Sequence, residues 1–162
     1  MSNYIVSCCS IADITKEHFE KRNISYICFH FLMDGKEYTD DLGQSIPFEE
    51  FYAKMAAGAD TSTSQVNVNE YVDYFTEIVK QGKDILHISF SSGLSGSFNS
   101  AENAAKIVMD KYPGRKIYVV DSLAASSGCG LLIDKVADLR DEGMDLEELR
   151  DWVEANKLKL HH

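Results

Sequence analysis

Three clusters of hydroxyl side chains are the residues in this chain best suited to chemistry. They are Thr61-Ser62-Thr63-Ser64-Gln65, Ser91-Ser92 with Ser95 and Ser97, and Asp121-Ser122 with Ser126-Ser127. Each falls in a loop beside an expected strand end or helix start. Hydroxyls donate hydrogen bonds to carboxylates and phosphates without adding a charge. The same residue types also cap helices and form turns, which suffices for Thr61 to Gln65 taken alone. Several such clusters beside one sheet favour a role in holding an anion.

The second cluster has the most informative surroundings. Ile85 to Phe90 is a short apolar run, and it feeds the loop Ser91-Ser92-Gly93-Leu94-Ser95-Gly96, after which a helix begins. Backbone N–H groups and the positive end of the helix dipole converge at such a place. The loop is neither a Walker loop, for it has no lysine, nor a dinucleotide fingerprint, for its glycine spacing is wrong. A serine hydrolase of the α/β kind wants G-x-S-x-G, whereas Gly93-Leu94-Ser95-Gly96-Ser97 is one residue short. A serine-dependent hydrolase acting through Ser95 also needs a base within reach. His87 sits mid-strand as a packing residue, and the sequence identifies no acidic partner for His18 or His30. Asp40-Asp41 and Glu49-Glu50 read as solvated turn and helix-start charges.

The four cysteines are Cys8, Cys9, Cys28 and Cys129. None has C-x-x-C spacing, so no zinc or thioredoxin-type site is expected, and no cofactor is implied. A thiol-based sensor built on Cys8 and Cys9 would need an exposed thiolate of low pKa. Burial as small residues at a strand end is the preferred reading.

The elements that must position these residues follow from periodicity. Tyr4 to Cys8 reads as a buried strand. Asp13 or Thr15 caps a short helix through Lys21. Ile24 to Met33 reads as one strand, and Asp34-Gly35 turns it into a return strand, Lys36 to Thr39. Ser45 and Pro47 start a helix with Phe48, Phe51, Tyr52 and Met55 on one face. Gly58 to Gln65 reads as a polar linker. A helix through Tyr71, Phe75 and Val79 follows, then the Ile85 strand, then a helix with Ala101, Ala104, Ala105 and Val108 inward, ended by Pro113-Gly114. Ile117 to Val120 is a further strand. A helix through Leu132, Val136 and Leu139 comes next. A last helix has a capping-box start at Asp145 and Glu148. Alternating strands and helices predict an α/β fold with a mainly parallel sheet, helices on both faces and one antiparallel hairpin at its edge. Ligands in such folds sit beyond the carboxyl ends of the strands, so the loops after Cys8, Phe90 and Val120 are where a site is expected.

The chain has 162 residues, long enough for one sizeable core. Its 16 basic and 26 acidic residues give a net charge of −10, which disfavours nucleic acid as a partner. No apolar run approaches bilayer length and no signal-peptide pattern opens the chain, so a soluble cytoplasmic protein is expected. Residues 1–156 are expected to form one domain. Leu158-Lys159-Leu160 alternates like the start of a strand, so residues 157–162 are expected to begin a truncated second domain or to carry a tag remnant at His161-His162.

Taken together, the motifs resemble a known family. Thr63-Ser64-Gln65, the block Ser91 to Ala101, and Val120-Asp121-Ser122 followed by Gly128-Cys129-Gly130 resemble the DegV family in content and order. The hairpin Met33 to Asp40 does so too, and the likeness runs through essentially the whole chain. One difference is Cys9, which stands where the family often has aspartate. The resemblance implies a bacterial fatty-acid-binding protein that does no bond-making itself. It implies a long-chain fatty acid as ligand and a fatty-acid kinase subunit as partner, which phosphorylates the carboxylate to an acyl phosphate. Carried over by position, it puts the hydroxyls of Thr63 and Ser95 on the lipid carboxylate, with Ser64, Ser92 and the backbone at Gly96 close by. Family members are much longer, and their second domain supplies part of the pocket with basic and histidine contacts. A lone first domain is expected to expose an apolar patch and to self-associate.

Overall fold

The computed structural model describes residues 3–160. The chain runs through β1 (Tyr4–Cys9), α1 (Lys16–Lys21), β2 (Ile24–Ile27), β3 (His30–Met33) and β4 (Lys36–Thr39). It continues through α2 (Phe48–Ala56), β5 (Thr61–Ser64), α3 (Val68–Val79), β6 (Asp84–Ser89) and α4 (Ser97–Lys111). It closes with β7 (Ile117–Asp121), α5 (Ser126–Asp141) and α6 (Leu146–Asn156). Four strands form a parallel sheet in the order β2-β1-β6-β7.

Side-chain alternation along the strands splits the core into two layers. Val6, Cys8, Leu86 and Ile88 point to one face and pack with Phe19 of α1, Leu132 and Ile133 of α5, and Leu149 and Val153 of α6. Cys9, Ile85 and Ile117 point to the other and meet Tyr71 and Phe75 of α3 and Ala101, Ala104 and Val108 of α4. Each large apolar side chain fully buried this way contributes about 1.5–3 kcal/mol relative to exposure. Helix starts are set by local chemistry. Asn67 and Asp145 each complete a capping box, with Glu70 and Glu148.

The sheet assignment needs two corrections. Ile24 to Met33 is not one strand but two, in different sheets. The last residue pairing β2 with β1 is Ile27, opposite Cys9. There the Phe29 N–H donates to Ser10 Oγ at 3.1 Å, and the Asp40 N–H donates to the Phe29 carbonyl at 2.8 Å. A side chain and a neighbouring turn thus replace the ladder, and the chain leaves the sheet. The hairpin forms at Asp34-Gly35, both with positive φ of 51° and 74°, but it does not edge the parallel sheet. It belongs to a separate antiparallel sheet of order β4-β3-β5. The third strand is Thr61–Ser64, so Gly58 to Gln65 is not a linker. Its pairing sets His30 opposite Ser64 and Phe31 opposite Thr63.

Two smaller expectations also change. Pro47 does mark the start of α2, as its flanking residue, but Ser45 does not, its hydroxyl donating to Asp41 instead. Lys157–Lys159 forms a 3-10 turn, not a strand start. His161 and His162 lie outside the described residues. No helix among the described residues is long and apolar enough to cross a membrane.

Candidate anion-binding cleft

β1 and β6 lie side by side, and the connections leaving their carboxyl ends run to opposite sides of the sheet. That is the crevice where ligands of open α/β sheets collect. An open cleft of about 950 Å³ lies there, near the upper end of the roughly 300–1,000 Å³ usual for small-molecule sites. Ile11 and Asp13 from the turn after β1, Phe90 and Leu94 to Gly96 after β6, and Ala125 and Ser126 at the start of α5 form its floor. The second sheet and α2 form its wall.

Of the residues singled out by sequence, Thr63, Ser64, Ser95 and Gly96 all line this cleft. Ser92 is not among the lining residues, and its backbone N–H donates to Asp121 Oδ1 at 3.1 Å. Asp121 also accepts the Leu123 N–H at 3.0 Å, so its carboxylate ties the serine loop to the loop before α5. Gly130, from the Gly-rich run, lets α5 approach: a Cβ there would meet the Ala12 carbonyl oxygen at 2.3 Å.

Gln65 is the link that the sequence reading left out of the site. The Ser95 hydroxyl donates to Gln65 Oε1 at 3.2 Å and accepts the Ser97 N–H at 3.1 Å. A Cβ on Gly96 would meet the Gln65 side chain at 2.9–3.0 Å. The end of β5 therefore touches the start of α4 through Gln65. Its amide oxygen occupies, beside Ser95, the kind of position a carboxylate oxygen would take. α4 has no acidic residue in its first turn and no side-chain cap on its flanking residue, and although Ser95 already holds the Ser97 N–H, the positive end of its dipole points to this side of the cleft.

The rest of the wall is aromatic. Phe31 stacks on Tyr38 with ring centroids 5.2 Å apart, and meets Phe51 of α2 edge-on at 5.2 Å. Phe51 in turn meets Tyr52 at 5.3 Å. No residue of α2 is buried, and Phe48 and Tyr52 are 58% and 64% exposed. The apolar face of that helix looks into the cleft rather than into a core. This explains why a helix patterned for burial is not buried.

The cleft also has an acidic side, Asp13, Asp40 and Asp41. Asp40 is not the solvated turn charge expected from sequence. It is partly buried and accepts Ser10 Oγ at 2.9 Å, and burial holds its carboxyl above the usual range despite that hydrogen bond. The histidines without sequence-visible partners have them in space. His18 pairs with Asp134, and His30 with Glu70, both at 2.7 Å. Those partners are 116 and 40 residues away in the chain, which is why the sequence hid them.

The two competing chemistries find little in this geometry. Neither hydrogen-bond partner of Ser95 Oγ, the Gln65 amide and the Ser97 N–H, can take a proton. Cys8 and Cys9 are buried and project to opposite faces of the sheet. Burial pushes the Cys9 thiol up to about 11 and Cys8 well above its ordinary value, the reverse of what a reactive thiolate needs.

Comparison with known proteins agrees with this architecture. A DegV domain-containing protein of Clostridium perfringens is 38% identical over all 162 residues, which make up 56% of its length. A stearic-acid-binding protein from Eubacterium ventriosum matches 94% of this chain with 52% of its own, at 30% identity and a TM-score of 0.85. The fatty-acid-binding protein DegV of Bacillus subtilis matches 97% with 54% of its own, at 26% identity and a TM-score of 0.82. The chain thus spans about half the length of the relatives it matches. The profile described as an uncharacterised protein, DegV family, matches residues 8–162, and the chain belongs to that family.

Proposed function

We propose that this chain binds a long-chain fatty acid, holding the carboxylate at Thr63, Ser64, Ser95 and Gly96 and the acyl tail along the Phe31-Phe51 wall. The observation that carries this reading is the division of the cleft. One end has neutral donors and a helix N-terminus, and the wall beside it is aromatic. Neutral donors suit an ionised carboxylate, which accepts several hydrogen bonds and has none to give. The acidic side repels the same head group and so helps orient it. The stearic-acid-binding and DegV relatives support the ligand class.

On this reading the domain is a carrier, not an enzyme, and a separate kinase phosphorylates the presented carboxylate. Residues 1–156 act as one half of the site. The exposed face of α2, with Leu94 at 67% exposure, is closed over by a further domain in the longer protein. Alone, such a face favours association between copies.

Native mass spectrometry of the purified chain, and of a longer protein carrying the second domain, tests this. Both should release a fatty acid, and the longer protein should retain far more of it. Absence of fatty acid from both, after incubation with oleate, contradicts the reading. Equal retention contradicts the shared-cleft part of it.

A further inference from the structure

The Ser95 hydroxyl has one proton to give, and Gln65 holds it. The Ser95 oxygen accepts the Ser97 N–H at 3.1 Å, and its own O–H donates to Gln65 Oε1 at 3.2 Å. A hydroxyl donates once, so it cannot serve Gln65 and a ligand carboxylate together. Gln65 and the head group therefore exclude each other at Ser95.

Two neighbours are shaped around this side chain. Gly96 leaves it room: a Cβ there would meet Gln65 Oε1 at 2.9 Å and Nε2 at 3.0 Å. Val66, the next residue, is fully buried in the layer of Tyr71, Phe75 and Ala101, which fixes the backbone from which Gln65 reaches. The Gln65 side chain is itself exposed, and its Nε2 has no hydrogen bond among the described residues. An anchored backbone bearing a side chain on a single 3.2 Å hydrogen bond makes a tethered group that can leave and return.

We propose that Gln65 is a built-in competitor for the head group: its amide oxygen occupies the Ser95 donor, and an ionised carboxylate must displace it to bind. This rests on the fatty-acid reading above. The exchange replaces a hydrogen bond between neutral groups with a charge-assisted one, which is roughly twice as strong, so a carboxylate prevails. Displacing the amide lowers the yield of every binding event at Ser95, so Gln65 holds affinity below what the free hydroxyl would give. The tether keeps the amide at high local concentration, so it recaptures Ser95 when the ligand leaves.

The test is laurate binding by calorimetry to wild type, Gln65→Met, Gln65→Glu, Ser95→Ala and the Ser95→Ala, Gln65→Met double variant. Methionine keeps the length of the side chain and removes the amide oxygen, so Gln65→Met should bind about two- to tenfold more tightly than wild type, the range of a net neutral hydrogen bond. Gln65→Glu tethers a carboxylate at the same place and should bind roughly tenfold more weakly or worse. In the Ser95→Ala background, Gln65→Met should change nothing, because the donor in dispute is gone. Unchanged or weaker binding by folded Gln65→Met overturns the competitor and leaves the hydroxyl site standing. An equal gain in the Ser95→Ala background also overturns it, since the effect is then an apolar contact that bypasses Ser95. Failure of both wild type and Gln65→Met to bind laurate overturns the fatty-acid reading and the competitor with it.

Discussion

Acidification should unfold this domain early, and replacing His87 with Gln should remove much of that sensitivity. His87 lies in the middle of β6 with its side chain fully buried. Nδ1 is 2.9 Å from Ser7 Oγ, and the ring meets Tyr71 and Phe75 edge-on at 5.4 Å each. Burial drives its pKa down to about 3 from the ordinary 6.5. In the unfolded chain the ring titrates near 6.5, so between those two values the unfolded state binds a proton that the folded state refuses. Stability is fully present above about pH 6.5 and is lost progressively as pH falls toward about 3. That difference corresponds to about 5 kcal/mol over the whole window. That is comparable with the entire stability of many domains, roughly 5–15 kcal/mol. Urea unfolding at a series of pH values is the measurement. His87→Gln should be less stable near neutrality, because the ring packing is lost. Below about pH 6 its stability should fall much less steeply than wild type. Carboxylates titrate in both proteins, so the difference between the two acid limbs isolates His87. Parallel limbs would contradict the account.

The second large effect concerns the ligand. Ser95→Ala and Thr63→Val should each weaken fatty-acid binding ten- to about a hundredfold, from the roughly 1.5–3 kcal/mol of a hydrogen bond to a charged acceptor. Thr63→Val keeps the β-branched shape that the strand favours, and Thr63 is exposed, so the fold should not change. Ser95→Ala also removes the acceptor for the Ser97 N–H, at about 1 kcal/mol of helix stability, which leaves the domain folded. Cys9→Ala should do far less to affinity, because Cys9 packs under the sheet against Tyr71, where its sulfur lies 3.3 Å from the phenol oxygen. Fluorescence displacement of a bound polyene fatty acid reads all three. Unchanged affinity in both hydroxyl variants would remove the site.

Much of this organisation is legible in the residues themselves, and the parts that are not have physical reasons. The parallel strands and their helices carry strong apolar periodicity, and Asp34-Gly35 announces its hairpin through the positive φ it needs. Thr61–Ser64 announces nothing. Its four residues are small and polar because neither side of that strand is buried in a core, so it lacks the alternation that marks a half-buried strand. The division of Ile24 to Met33 is equally hidden, because Ser10 and Asp40, distant in sequence, capture the backbone at Phe29. The hydroxyl clusters could be picked out from their types and positions. Gln65 and the His30–Glu70 pair could not, since their meaning depends on which strand lies beside which. α2 shows the converse case. Its apolar face is plain in the sequence, yet only the fold shows that it borders the cleft instead of filling a core.

The most direct test of the central claim is a crystal structure of the protein with oleate bound. The account predicts the carboxylate within about 2.7–3.2 Å of both the Thr63 and Ser95 hydroxyls, with the Gln65 side chain moved aside and the tail against Phe31 and Phe51. A carboxylate bound elsewhere, or a tail lying across the hydroxyls with the head group in solvent, would contradict it.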